Sequence, residues 1–402
     1  MKTIAKFILT FAVCLALWNY LSDLYLASVE RPIHKHILVL EEKPSDKELI
    51  NVVAEKLKDE LGNQIVIASP QRISPLSIAQ MYFDLPREDW GWVDYFRLNF
   101  DLINYFYRKL TKIAPYGGFI LYDYNIGNYS FQQYRDYTSY LRKIYRIEVE
   151  IIFEDNLQKK MTMNIYPWVV ADCAIMLVDK PYCRNFRVKK LSKDIKLSEL
   201  YSNIGLNSPL APVIDKIDAQ TTCSQKYPIL QDIVSDMYSS KQLPVLKHFL
   251  YTPKIMDAHL GNYRDGRSIE DIIRDAECYS VVDNIGIPYA IMPSHFYFDT
   301  IDEQNINTRS DKFQSFIRQN FPNAYTISDE ISMKGYAINE NFADRVSSNS
   351  SDMLLVHGGT IKFWKRKQIL KGVKQIDEYL LTEKIKRVLE LKEAYGLVEV
   401  QN

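Results

Sequence analysis

The 402-residue chain has no Cys-x-x-Cys pair, no Gly-x-Gly-x-x-Gly run and no Walker A pattern. The first absence removes a zinc-ribbon reading, which needs closely spaced thiolates. The other two remove glycine-rich loops whose backbone N–H groups cradle phosphates. Net charge is absent as well, because 50 Lys+Arg balance 50 Asp+Glu. A bulk nucleic-acid binder carries a basic excess, so no nucleic-acid partner is expected. Cysteine is scarce: Cys14 lies in an N-terminal apolar stretch, leaving Cys173, Cys183, Cys223 and Cys278. Those four allow one or two disulfides of open connectivity. Beyond residue 27 no apolar run is long enough to span a bilayer. "YPWVVADCAIMLV" (166–178) carries Asp172 mid-run and reads as a buried helix.

What is present describes a globular chain: 47% apolar and 25% charged residues, with length beyond one average domain. Tyr is abundant, at 28, which fits either wet, sugar-like surfaces or a biased overall usage. The N-terminus is more specific. Lys2 and Lys6 precede "FILTFAVCLALW", and the apolar character extends to Ala27, about the 20 residues a spanning helix needs. Residues 1–30 are read as an uncleaved signal-anchor. Lys2 and Lys6 stay cytoplasmic and the bulk lies outside the membrane. The alternative is secretion after signal cleavage.

Along the body, short apolar runs alternate with amphipathic segments. "HILVL" (36–40), "QIVIAS" (64–69), "GGFILYDYNIG" (117–127), "YRIEVEIIFE" (145–154), "PVLKHFLY" (244–251), "IPYAIMPSHF" (287–296), "AYTIS" (324–328) and "DMLLV" (352–356) read as strands. Ser45 with Glu48 forms a capping-box pattern at the start of a helix that Gly62 ends. "SIEDIIRDAECYSVVDNIG" reads as an amphipathic helix, and another is expected over 360–395. Such alternation predicts an α/β fold, a three-layer sandwich with a mostly parallel, flavodoxin-like sheet. The segmentation is 1–30 anchor, 31–154 first part of the α/β domain, 155–242 helical insertion or cap, and 243–402 second part.

In open parallel folds ligands sit beyond the carboxyl ends of strands. That rule nominates "SDMLLVHGGTIKFW" (351–364), where His357 follows the last strand. A Ser/His/acid set needs a nucleophile, a base to take its proton and a carboxylate to orient the base. Ser45, His357 and Asp352 are the candidates, with Asn125 as an oxyanion donor. His295 and Asp123 are candidate substrate contacts. Lys362, Lys365 and Arg366 crowd the start of the last helix, where positive charge is unfavourable unless an anionic ligand sits nearby. An anionic or polysaccharide substrate is therefore expected. Asp257, His259, His295 and Asp299 are residue types that suit zinc or manganese, but their spacing matches no metal motif. They are read as satisfied side chains, and no metal or cofactor is expected.

This order of features resembles the SGNH hydrolase superfamily. The resemblance rests on "HILVLEEKPSD", "IVIASPQRISPLSIAQMY", "GGFILYDYNIGN", "VVDNIGIPYAIMPSHF" and "HGGTIKFWKRK". The layout is similar to that of the membrane-anchored D-alanyl transfer proteins of teichoic acid synthesis. The turn at Ser45 lacks the family's glycine, and Asp352 stands five residues before His357 rather than three. The resemblance implies an extracytoplasmic esterase or O-acyltransferase acting on an envelope glycan. The alternatives are a signal-anchored glycosyltransferase using Asp123 and a non-catalytic binding or assembly protein.

Overall fold

The computed structural model describes residues 34–68, 116–121, 138–139, 142, 145–154, 156–171, 174–175, 181–182, 223–249, 258, 260–336, 340–356 and 363–401. In chain order the elements begin with β1 (His34–Leu40), α1 (Asp46–Lys56), α2 (Lys58–Leu61), β2 (Val66–Ala68) and β3 (Gly118–Leu121). β4 (Ile147–Phe153), β5 (Asn156–Ile165), β6 (Trp168–Ala171), β7 (Ala174–Ile175), β8 (Pro181–Tyr182) and α3 (Cys223–Ser239) follow. Next come β9 (Val245–Phe249), β10 (Tyr263–Asp265), α4 (Ile269–Asp283), β11 (Tyr289–Pro293), β12 (Phe296–Phe298) and α5 (Asp311–Asn320). The chain closes with β13 (Ala324–Glu330), α6 (Phe342–Ser347), β14 (Met353–Val356), α7 (Phe363–Gln375), α8 (Glu378–Ala394) and β15 (Val398–Gln401).

The main sheet has seven strands in the order β6-β3-β2-β14-β13-β11-β9, and every neighbouring pair is parallel. From β9 the order runs β11, β13, β14, then back to β2, β3 and β6. It therefore follows the chain cyclically, with the last strand returning to the first. A doubly wound sheet reverses direction at a switch point instead. The observed order is that of a βα barrel with a seam between β6 and β9 among the described residues. The α/β class with a parallel sheet thus stands, while the flavodoxin-like sandwich gives way to a curled half-barrel. Period and burial do not separate these two, because β2, β11 and β14 are buried on both faces in either.

β1 does not belong to this sheet. It pairs with β4 in a separate four-stranded sheet, β1-β4-β5-β15. Alternation there is strict: Ile147, Val149, Ile151 and Phe153 are buried while Glu148, Glu150 and Ile152 are half-exposed. β5 and β6 occupy 156–171, a stretch read from the sequence as the start of a helical insertion. The expected helix over 166–178 is instead β6 at Trp168–Ala171, its short apolar run buried beside β3.

Local chemistry sets the helix boundaries. Ser45 accepts from Glu48 N while the Glu48 carboxylate accepts from Ser45 N, a complete capping box. Ser268, Ser310 and Asn341 cap α4, α5 and α6 with a side-chain oxygen that accepts from a first-turn amide. The single helix expected over 360–395 is two, because Asp377 accepts from Leu380 N and starts α8 anew. Gly117 is required where β3 meets β2, since a Cβ there would lie 1.8 Å from the Gln64 carbonyl oxygen.

α8 packs along α1 and buries two lysines. Lys392, fully buried, donates to Gln64 Oε1 at 2.6 Å, and burial pulls its ammonium down to about 7. An unfolded lysine titrates near 10.5, so between those values the unfolded chain binds more protons. The stability lost to Lys392 is therefore greatest below pH 7 and fades as pH rises toward 10.5. Thermal melts should show Lys392→Met gaining on wild type at pH 7 relative to pH 10. A difference that does not change with pH would contradict a neutralised Lys392.

No helix among the described residues is long and apolar enough to cross a membrane. The expected anchor at 1–30 lies outside the described residues. The expectation of a single-pass membrane protein rests on those residues and finds no support among the described ones.

Candidate functional site

Of the catalytic set expected from the sequence, Ser45 and Asp352 lie among the described residues, and each is engaged elsewhere. Ser45 follows β1, so it stands beyond a strand of the four-stranded sheet rather than at the carboxyl end of a barrel strand. Its hydroxyl is spent on Glu48, donating to Oε2 at 2.6 Å. Ser45→Ala should cost about 1 kcal/mol of stability through the missing cap and leave any turnover unchanged.

Asp352 lies at the amino end of β14. It is 1% exposed and serves an ion cluster. Arg387 grips it with Nε to Oδ1 at 2.8 Å and Nη2 to Oδ2 at 3.2 Å. Arg318 reaches Oδ1 at 3.3 Å, and Thr326 N donates to Oδ2 at 2.8 Å. Burial alone would raise this carboxyl, but Arg387, Arg318 and Lys384 hold it below the ordinary carboxylate value. Asp352 is thus a structural anion between β13, β14 and α8.

His357, Asn125, Asp123 and Lys362 lie outside the described residues, as do Asp257 and His259. Lys365 and Arg366 fall in the first turn of α7, and their side chains are not described. Asp299 pairs with Arg264 at 2.6 Å. Among the described residues no group of three or more His, Cys, Asp and Glu is placed to hold a metal ion.

A different cluster forms where β9, β11 and β13 end. βα barrels present their functional groups at this carboxyl face. β9 delivers His248, 28% exposed at its side chain, and β13 delivers Asp329, 9% exposed. His248 Nε2 lies 3.6 Å from Asp329 Oδ2, a contact that becomes an ion pair when the imidazole is protonated. Asp329 Oδ1 accepts from Glu330 N at 2.8 Å, which fixes the orientation of the carboxylate. Glu330 is committed locally, its Oε1 accepting from the Ser332 amide at 3.0 Å and from the Ser332 hydroxyl.

His295 follows β11 beneath this pair and is fully buried. Nε2 lies 2.9 Å from the Glu330 carbonyl oxygen and Nδ1 lies 3.0 Å from Thr308 Oγ1. Burial lowers its pKa, opposed by the nearby Asp329 and Glu330. With both ring nitrogens engaged and no exposure, His295 is not an open substrate contact, which corrects the sequence expectation.

Asp329 escapes the sequence pattern because the apolar run "AYTIS" stops at Ser328. Two further residues belong to β13, which puts Asp329 at its carboxyl end. The rule that nominates strand ends holds here, with the strand two positions longer than its apolar run.

No known family profile matches the sequence. No curated protein matches it either. Solved structures do match in fold. One is a glycoside hydrolase family 3 β-N-acetylglucosaminidase from Paenibacillus sp. str. FPU-7, at 14% identity and a TM-score of 0.59, covering 85% of this chain and 63% of that one. A second is a β-glucoside phosphorylase, BglX, bound to 2FGlc, at 14% identity and a TM-score of 0.56, covering 89% and 62%. A third is a family 3 glycosyl hydrolase from Mycobacterium smegmatis, at 12% identity and a TM-score of 0.53, covering 83% and 96%. The chain spans 63% of the length of the first of these. At such identities the likeness establishes the fold. It overturns the SGNH resemblance, and with it the esterase, acyltransferase and glycosyltransferase readings, because the neighbours are family 3 glycoside hydrolase folds.

Proposed function

We propose that this chain cleaves β-glycosidic bonds, with Asp329 as the carboxylate that attacks the anomeric carbon. The observation that carries the reading is the placement of a nearly buried Asp329 beside His248 at the carboxyl end of a barrel whose fold neighbours are glycoside hydrolases. Carboxylates are the usual tools for this bond, whose transition state carries oxocarbenium character.

In the first step a lone pair of the Asp329 carboxylate forms a bond to the anomeric carbon. The bond to the leaving oxygen breaks, and that oxygen takes a proton from a general acid. In the second step an acceptor, water in a hydrolysis, adds to the same carbon. Its proton returns to the group that acted as acid, and Asp329 leaves as carboxylate. His248, 3.6 Å away, stands where it can donate to a sugar hydroxyl and hold the ring against Asp329. β9 ends at this face, and the sequence between β9 and β10 carries Asp257 and His259, both outside the described residues. They are the candidates for the general acid. The fold neighbours act on β-glucosides and β-N-acetylglucosaminides, so a glycan bearing one of these sugars is the proposed substrate class. The polysaccharide partner expected from the sequence remains part of this proposal.

The test is release of p-nitrophenol from the β-glucoside and the β-N-acetylglucosaminide, with water alone and with inorganic phosphate added as acceptor. An activated 2-deoxy-2-fluoro glycoside should leave a covalent adduct on the peptide containing Asp329. No turnover under any condition, with no adduct on that peptide, would sink the reading.

A further inference from the structure

Resting on the glycosidase reading, we propose that His295 is a positioning residue that fixes the peptide carrying Asp329. The backbone ladder does not reach that peptide from the β11 side. β11 and β13 are paired over Tyr289–Ile291 and Ala324–Thr326, and the ladder stops there although β13 continues to Glu330. On the other side, the register with β14 shifts between Ile327 and Glu330. Side chains take over in this gap. Leu355 N donates to Ser328 Oγ at 3.3 Å, and His295 Nε2 meets the Glu330 carbonyl at 2.9 Å. Asp329 lies between these two fastenings.

The hydrogen-bond partners fix the state of the ring. A carbonyl oxygen only accepts, so Nε2 carries the proton. In the neutral ring Nδ1 then accepts from the Thr308 hydroxyl, 3.0 Å away. The edge of the ring rests on Tyr336, with centroids 5.1 Å apart. Thr308, His295 and the Glu330 carbonyl thus form a relay from the chain after β12 to the residue that follows Asp329. Small misplacement of a reacting group costs rate steeply, about 100-fold for 1 Å.

Two substitutions separate positioning from bulk packing. His295→Phe keeps an aromatic ring, somewhat larger, and removes the donor, while His295→Gln restores an N–H near the Nε2 position. In the full-length enzyme, with active sites counted by the fluoro-glycoside, His295→Phe should lower kcat about 100-fold with KM within about 3-fold. His295→Gln should recover most of the loss. Amide exchange over residues 328–332 should accelerate at least about 10-fold in His295→Phe and stay near wild type in His295→Gln. A Phe variant with wild-type kcat and exchange would overturn the proposal, as would a stably folded Gln variant no better than Phe. If wild type turns over no glycoside, the glycosidase reading fails, and the exchange comparison alone still decides whether His295 holds this segment.

Discussion

Asp329→Asn should abolish glycoside turnover, lowering kcat by at least about 10⁴-fold, or about 5.5 kcal/mol of transition-state stabilisation. The amide keeps the size and can still accept from Glu330 N, the bond that now orients the carboxylate at 2.8 Å. It has no anionic oxygen with which to form a glycosyl ester. The melting temperature should move little, since the ion-pair partner of the carboxylate among the described residues is a partly exposed histidine, 3.6 Å away. The measurement is kcat on the best p-nitrophenyl glycoside, with the fluoro-glycoside adduct as a second readout. A variant that keeps wild-type turnover would remove Asp329 from the chemistry and leave the fold likeness without a site. Ser45→Ala serves as the contrasting control, because it disturbs a helix cap and nothing at the barrel face.

The second large effect concerns stability. Asp352→Ala should destabilise the protein by about 3–5 kcal/mol, because it leaves Arg387 facing Arg318 and Lys384 without the shared anion. Arg387 is tied into the core, with Nη2 donating to the Ala324 carbonyl at 2.9 Å and its guanidinium 4.5 Å from the Tyr325 ring centre. It cannot swing out to solvent without breaking both interactions. The amide of Thr326 is also left without its acceptor in the variant, at a further cost. A melting temperature lower by roughly 10 °C is the expected scale. The acid side adds a sign. Because Asp352 is held below 3.8 when folded, the stability it supplies is present above that value and is lost as pH falls through the lower, folded pKa. Wild type should therefore show an acid-induced loss that Asp352→Ala lacks. A variant that melts with wild type would mean that the arginines find other partners at no cost.

Two positions illustrate how the sequence misleads about roles. Ser45 and Asp352 are chemically fit for a hydrolase triad. Ser45 is legible as a cap from its local pattern, since Ser-x-x-Glu acts over three residues and needs no tertiary information. Asp352 cannot be read in this way, because its partner Arg387 is 35 residues away on a helix that returns to the amino end of β14. His295 stands out as a histidine after a strong strand, and the strand is there. Whether its ring faces a ligand or a carbonyl depends on β13, which is distant in sequence.

The sequence by itself determined the period of most strands, the Ser45 cap that starts α1, and the α/β class. These rest on interactions within a few residues: alternation of side chains in β4, doubly buried runs in β11 and β14, and the side-chain oxygen of Ser45. Only the tertiary structure decided which strands are neighbours. Pairing depends on register and crossover across dozens of residues, and a buried parallel strand has the same composition in a sandwich as in a barrel. That decision sent β1 and Ser45 to another sheet. It also turned β14 back against β2 and set His248 beside Asp329, the contact on which the proposed function rests.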